Sequence, residues 1–211
     1  MLSSAMKRGG AAWLLLALAG CLGACSPQGP SPPDAVIQAT NASTPASLAA
    51  VDNWAYWLSS PDVGQLAASD YDLVVMDYSA DGTDPRRFSR DAVAHLQDRG
   101  KIVLAYLSVG EAEEYRFYWN ASWENTPPDF LGPPNPEWPG AYKVRYWDPA
   151  WRRDVLAPYL DRITAAGFDG AYLDIVDGYW FWSQHGQDLQ WAADSMAELA
   201  AWVANYARLR S

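Results

Sequence analysis

From residue 54 onward, short apolar runs alternate with longer stretches in which apolar side chains return every three or four residues. The runs are Trp54–Leu58, Tyr71–Tyr78, Lys101–Ser108, Tyr142–Trp147 and Phe168–Asp174, of which Tyr142–Trp147 is the weakest. Near-continuous apolar runs of this length predict parallel strands buried on both faces. The intervening stretches read as helices. Pro61–Ala68 follows Ser60 and carries proline at its first position. Arg86–Arg99 lines up Phe88, Ala92, Val93 and Leu96 and stops at Gly100. Ala150–Ala166 turns Val155, Leu156, Leu160 and Ile163 inward and stops at Gly167, and Trp191–Leu209 carries Met196, Leu199, Val203 and Tyr206. Asn120–Gly140 breaks the rhythm with six prolines and many aromatics, which predicts a long loop over one end of the domain.

Strand–helix alternation implies a parallel sheet with crossover helices. Five units over residues 51–211 take roughly 32 residues each. Eight such units make a barrel of about 250 residues. The expected fold class is therefore α/β, a (β/α)8 TIM barrel truncated to about the first five βα units. An open five-stranded sheet is the competing architecture, and no glycine-rich phosphate loop supports it.

The first 50 residues follow other rules. Residues 1–25 read as a lipoprotein signal peptide: Lys7 and Arg8 are the basic start and Ala11–Ala19 the apolar segment. That segment is too short to span a membrane with polar flanks. Leu18-Ala19-Gly20-Cys21 and Leu22-Gly23-Ala24-Cys25 both resemble a lipobox, in which the cysteine is acylated. Cys21 fits the small-residue pattern better, whereas Cys25 has the more usual polar follower, Ser26. Residues 26–50 are a Pro/Ser/Ala-rich linker with Pro27, Pro30, Pro32, Pro33 and Pro45, a composition that stays extended. The expected product is exported and lipid-anchored to the bacterial cell envelope, held at the membrane by its N-terminal lipid.

Composition narrows the chemistry. Half the residues are apolar and 19% are charged, enough to build a core. The formal charge is −10, and cleavage at Cys21 would remove Lys7 and Arg8, leaving −12. Such a balance excludes a nucleic-acid-binding surface. Two cysteines are too few for a disulfide scaffold or zinc ribbon. His95 and His185 are too isolated for a metal site, so no metal or cofactor is expected. Twelve Trp and twelve Tyr are a high load for this length, and such rings stack on sugars as well as filling cores.

In a barrel, chemistry sits at the C-terminal ends of the strands. Asp77, Glu111 and Asp174 all follow buried runs at that end, and Asp177 comes three residues after Asp174. Acids converging on one rim suit a glycosidase, in which one carboxyl protonates the leaving oxygen and another attacks or activates water. Taken singly, each acid could equally cap a helix or pair with arginine, and Glu111 with Glu113 and Glu114 could be a solvated helix start. Among the nearby rings, Tyr78, Trp147 and Tyr179 lie beyond strand ends and are the candidates for stacking on sugar.

Four blocks carry a family resemblance: Tyr71-Asp-Leu-Val-Val-Met-Asp-Tyr78, Val103 to Arg116 with its Val-Gly-Glu-Ala-Glu-Glu, Val144-Arg-Tyr-Trp-Asp-Pro-Ala-Trp-Arg152, and Gly167 to Trp180 with its Leu-Asp-Ile-Val-Asp. In this order they resemble glycoside hydrolase family 114, the endo-α-1,4-polygalactosaminidases with a TIM-barrel fold. The resemblance implies cleavage of galactosamine polymers, which are cationic when de-N-acetylated and suit an acidic rim. It implies a catalytic aspartate, matched by Asp174, and a glutamate on a later strand, which would lie past Ser211. It leaves Asp77, Tyr78, Glu111, Trp147, Asp177 and Tyr179 as substrate-binding candidates. Two other readings stay open: a carbohydrate-binding lipoprotein without catalysis, and a barrel glycosidase acting on another glycan such as an α-galactoside.

Overall fold

The computed structural model of the chain describes residues 48–210. The expected signal peptide, both cysteines and residues 26–47 of the linker lie outside them. After a 3-10 turn at Leu48–Ala50, the described chain runs through strand β1 (Trp54–Trp57) and helix α1 (Val63–Ala67), continues through β2 (Leu73–Met76) and α2 (Arg90–Gln97), and reaches β3 (Ile102–Ser108). Three short strands follow, β4 (Glu111–Glu113), β5 (Leu131–Pro134) and β6 (Ala141–Val144). Helix α3 (Ala157–Ala166), strand β7 (Gly170–Asp174), and helices α4 (Gly178–Gln184) and α5 (Leu189–Arg208) complete it.

Strands β1, β2, β3 and β7 form one sheet in that order, every neighbouring pair parallel. Successive side chains of a strand face opposite sides, and the packing follows. Val74, Met76 and Val103 pack against Leu66 of α1 and Val93 and Leu96 of α2. Further along the sheet, Ala105, Leu107 and Leu173 pack against Leu160 and Ile163 of α3 and Met196, Leu199 and Val203 of α5. The opposite face carries Leu73, Val75, Leu104 and Tyr106, with Tyr172 beside them. Each such aliphatic side chain contributes about 1.5–3 kcal/mol on full burial, and that is why β2 and β3 are buried along their whole lengths.

Local signals set the helix ends. Asp62 caps α1 through the Gln65 amide at 2.9 Å, Ser89 caps α2 through Ala92 at 3.2 Å, and Asp188 caps α5 through Trp191 at 2.8 Å. Gly167 ends α3 in the left-handed conformation. Before α3 lies a turn of π-helix over Trp151–Leu156, in which the Ala157 amide reaches back to the Arg152 carbonyl. Pro158 has no amide hydrogen for the ordinary bond to Asp154, and the backbone widens just upstream.

The fourth apolar run corrects the expectation of five parallel strands. Its core, Ala141–Val144, is the middle strand of a second sheet, antiparallel to β4 on one side and β5 on the other. Lys143 and Arg145 interrupt its apolar residues, as befits a strand with one wet face rather than one buried on both. The expected loop Asn120–Gly140 supplies β5 and a 3-10 turn at Ala121–Glu124. The parallel sheet thus has four strands, and a three-stranded insertion sits between β3 and α3.

Candidate active site

The four parallel strands deliver their C-terminal ends to one edge, and the inserted sheet folds against that edge. Ser108, the last residue of β3, is in register with Asp174, the last of β7. The Val109 amide then donates to the Asp174 carbonyl at 3.0 Å, so the two strands stay joined up to the candidate acid. Ile175 follows with φ of 58°, a left-handed conformation that a β-branched residue rarely adopts. Such a residue stores about 1–3 kcal/mol of strain and persists only where its neighbours impose it. Here the Gly178 amide holds the Ile175 carbonyl at 3.1 Å, and Gly110 presses on it from β3's side. Trp151 pins that approach by donating its indole N–H to the Val109 carbonyl at 3.0 Å.

Asp174 is half-buried, and among the described residues its carboxylate has no hydrogen-bond or ion-pair partner. Three tyrosines surround this strand end. Tyr56 lies 5.6 Å from Tyr172 and 6.4 Å from Tyr106, centroid to centroid. Burial first, and then the Asp174 charge, push the Tyr56 and Tyr172 phenols up. For Tyr106 burial leads, Glu113 follows and Asp174 comes third. All three remain protonated hydrogen-bond donors beside a free carboxylate.

Asp77 occupies a different setting. It is 3% exposed and receives Nη1 of Arg116, itself 3% exposed, at 2.7 Å. The same guanidinium donates through Nε to Glu113 and through Nη2 to the Tyr115 hydroxyl at 3.0 Å. Tyr115 in turn donates to Glu113 at 2.8 Å. The Arg116 guanidinium carbon lies 5.4 Å from the Tyr106 ring centroid, which joins this knot to the Asp174 side of the site. Burial pushes the Asp77 carboxyl up, and Arg116 draws it partly back.

Glu111 is also buried and occupied. It accepts from Lys143 Nζ on β6 and from the side-chain amide of Asn135, the residue after β5, at 2.9 Å. The β4–β6 register sets Glu111 directly opposite Lys143. Asp177 is exposed at the start of α4 and makes no side-chain cap bond. Tyr179 is half-buried against the large core cluster. Trp147 packs edge-to-face on Trp182 at 5.2 Å and Trp191 at 5.0 Å. Tyr78 departs from expectation. It is 0% exposed, its hydroxyl donates to the Gly82 carbonyl, and its ring packs on Phe117 and Tyr159, so neither face is open to a sugar.

The strand ends therefore collect Asp77, Glu111 and Asp174 on one rim, two of them committed to internal ion pairs and one free. Sequence reading passed over Arg116, Asn135 and Lys143. The i,i+3 spacing of Glu113 and Arg116 was the one available signal. Among the described residues no three His, Cys, Asp or Glu side chains cluster as a metal site requires.

The sequence pattern of glycoside-hydrolase family GH114 matches residues 34–211. The chain belongs to that family. An uncharacterized protein of Methanocaldococcus jannaschii is 44% identical over 155 residues, covering 74% of this chain and 44% of that protein. Uncharacterized proteins of Thermotoga maritima and Deinococcus radiodurans are each 38% identical, over 75% and 92% of this chain and 49% and 62% of their own lengths. The chain thus spans about half the length of the first two. Among solved structures, Aspergillus fumigatus Ega3 in complex with galactosamine aligns with a TM-score of 0.56 and 23% identity, covering 75% of this chain and 56% of Ega3. The glycoside hydrolase domain of PelA from Pseudomonas aeruginosa gives 0.56 and 19%, over 74% and 56%. At these identities the likeness is one of fold. This GH114 chain has the α/β parallel-sheet architecture of TIM-barrel glycoside hydrolases.

Proposed function

We propose that this protein hydrolyses galactosamine-containing polysaccharide of the polygalactosaminidase type, with Asp174 as one member of a catalytic carboxyl pair. Membership of GH114 supports the reaction class, and the galactosamine bound to Ega3 supports the sugar. The observation that carries the residue assignment is the contrast among the rim acids. Asp77 and Glu111 are held in ion pairs, whereas among the described residues the Asp174 oxygens have no hydrogen-bond or ion-pair partner, and the Asp174 charge is felt by Tyr56, Tyr106 and Tyr172. A carboxylate that must attack an anomeric carbon, or activate water for it, needs oxygens free to move onto substrate.

The second carboxyl belongs, in this reading, to a strand packed beside the open β7 edge, in keeping with relatives longer than the matched stretch. Asp177 and Tyr179, one turn beyond Asp174, contact the sugar from the start of α4. The N-terminal pattern supports export and acylation at Cys21 or Cys25, which loss of labelled fatty acid in the Cys21→Ser or Cys25→Ser protein would test.

The test of the activity is release of reducing ends from α-1,4-galactosamine polymer by the protein and by Asp174→Asn. The expected loss is at least about a thousandfold. Full activity in Asp174→Asn overturns the assignment. Binding of polymer without cleavage by the unaltered protein leaves a carbohydrate-binding protein instead, and cleavage of α-galactosides alone moves the substrate.

A further inference from the structure

Beside the Asp77 knot, the loops after β1 and β2 border an open pocket of about 320 Å³ whose lining includes Ser59, Ser60, Asp77, Asp81, Gly82 and Tyr115. That volume lies at the lower end of the range for small-ligand sites. The loops are locked together: Ser60 donates its amide and its hydroxyl to the Ala80 carbonyl, at 3.0 and 3.3 Å. Ser60 holds φ of 48°, a second non-glycine residue in the left-handed region at this edge of the sheet. The Trp57 indole fixes the turn from below by donating to the Ser59 carbonyl at 3.0 Å.

Two lining groups are held in place by the fold and still leave surface for a ligand. Tyr115 is 48% exposed, yet its ring is not free to swing. Its hydroxyl is tethered to Glu113 and Arg116, and its Cδ2–Cε2 side lies so close to Gly82 that a Cβ there would stand 2.6 Å from both atoms. Gly82 itself has φ of 83°. The Arg116 guanidinium carbon lies over the ring, 4.9 Å from its centroid, and takes one side of it; the exposed remainder, fixed in place, loses little freedom when a ring stacks on it. Asp81 is the second group. The Thr83 amide, the Thr83 hydroxyl and the Ser79 hydroxyl all donate to its Oδ1, and its Oδ2 has no protein donor among the described residues. The Thr83 hydroxyl leads in holding this carboxyl below its ordinary value, so it is anionic.

We infer that this pocket is a subsite for one cationic amino-sugar residue, with Tyr115 as the stacking platform and Asp81 Oδ2 as the acceptor for the ammonium group. The inference rests on the glycan reading above and names the part of the cleft that selects de-N-acetylated residues. Acetylation would remove the charge that Asp81 recognises and leave the stacking on Tyr115 in place.

The experiment is calorimetric titration of the full chain with a de-N-acetylated galactosamine tetrasaccharide and with its fully N-acetylated counterpart. Asp81→Asn is expected to weaken the first by about tenfold and leave the second unchanged. Tyr115→Ala is expected to weaken both, and Tyr115→Phe, which keeps the ring, to retain most of the affinity. Asp81 is exposed, so its variant folds even where Tyr115→Ala does not. Unchanged affinity in Asp81→Asn overturns the subsite and leaves cleavage by Asp174 standing. An unaltered chain that binds neither oligosaccharide overturns the subsite and the glycan reading together.

Discussion

Gly110 and Ile175 meet backbone to backbone at the mouth of the sheet. A Cβ on Gly110 would stand 2.7 Å from the Ile175 Cγ2 and closer still to the Ile175 carbonyl oxygen. Glycine lets β3 turn into β4 directly beneath the residue that follows Asp174, and the contact holds Ile175 at its positive φ. The hydrogen bonds around it, Val109 to Asp174 and Gly178 to Ile175, fix the direction in which the Asp174 side chain leaves the strand.

Gly110→Ala should therefore act on both stability and the site. Neither neighbour is the end of a flexible side chain, so backbone must move, at about 1–3 kcal/mol. The urea midpoint should fall accordingly. Because the displaced segment carries Asp174, cleavage should fall by more than the loss of folded protein explains. A variant with an unchanged midpoint would show that the two strands are not in contact as described.

Arg116→Met tests the knot at Asp77. It leaves two buried carboxylates, Asp77 and Glu113, without their cation, which costs roughly 3–5 kcal/mol. The loss should depend on pH, with a definite sign. Burial already raises the folded-state Asp77 carboxyl above its ordinary value of 3.8, and Arg116 opposes that rise, so its removal raises the carboxyl further. A group raised in the folded state contributes stability that is present below the unfolded value and lost as pH rises through the folded one. The penalty for Arg116→Met should be largest near about pH 7 and shrink toward about pH 4. Urea titrations of both proteins at the two pH values measure it, and a penalty that grows on acidification contradicts the arrangement.

Tyr78→Phe should affect stability by about 0.5–1.5 kcal/mol, the net value of a buried hydrogen bond. The hydroxyl shares its one hydrogen between the buried Gly82 carbonyl at 3.1 Å and the partly buried Asp84 carboxylate at 3.2 Å. Thermal unfolding checks it. A side chain that served as a sugar platform would instead leave the melting temperature unmoved.

These cases mark what the sequence made legible. Strands β2 and β3 were visible because strands buried on both faces are written as unbroken apolar runs; β7, mostly half-buried, showed through the Ala171-Tyr172-Leu173 run that ends at Asp174, and α3 and α5 showed because one face repeats. The inserted sheet was not, since β5 is Leu131-Gly132-Pro133-Pro134 and β4 has only three residues, too short for any period. Asp77 was found as an acid at a strand end, but its partner lies 39 residues away, so its commitment to Arg116 is a fact of tertiary structure. Tyr78 looked like a rim residue because it follows β2. The turn through Gly82 and Asp84 folds back over it, and nothing local in the sequence announces that closure.

The Glu111–Lys143 pair gives the remaining test, because opposite charges placed across two strands should be coupled. Glu111 is 5% exposed, so Lys143→Met leaves a nearly buried carboxylate with the Asn135 amide as its remaining donor among the described residues. Breaking one side of a buried pair costs roughly 3–5 kcal/mol, and the partial exposure of Lys143 brings the expectation to about 2–3 kcal/mol. Glu111→Gln keeps an oxygen for Asn135 while removing the charge. The double variant should therefore be more stable than Lys143→Met alone, with a coupling energy above about 1 kcal/mol in a double-mutant cycle. Additive losses would mean that the two side chains stabilise the inserted sheet independently, and that Glu111 is as free for substrate as Asp174.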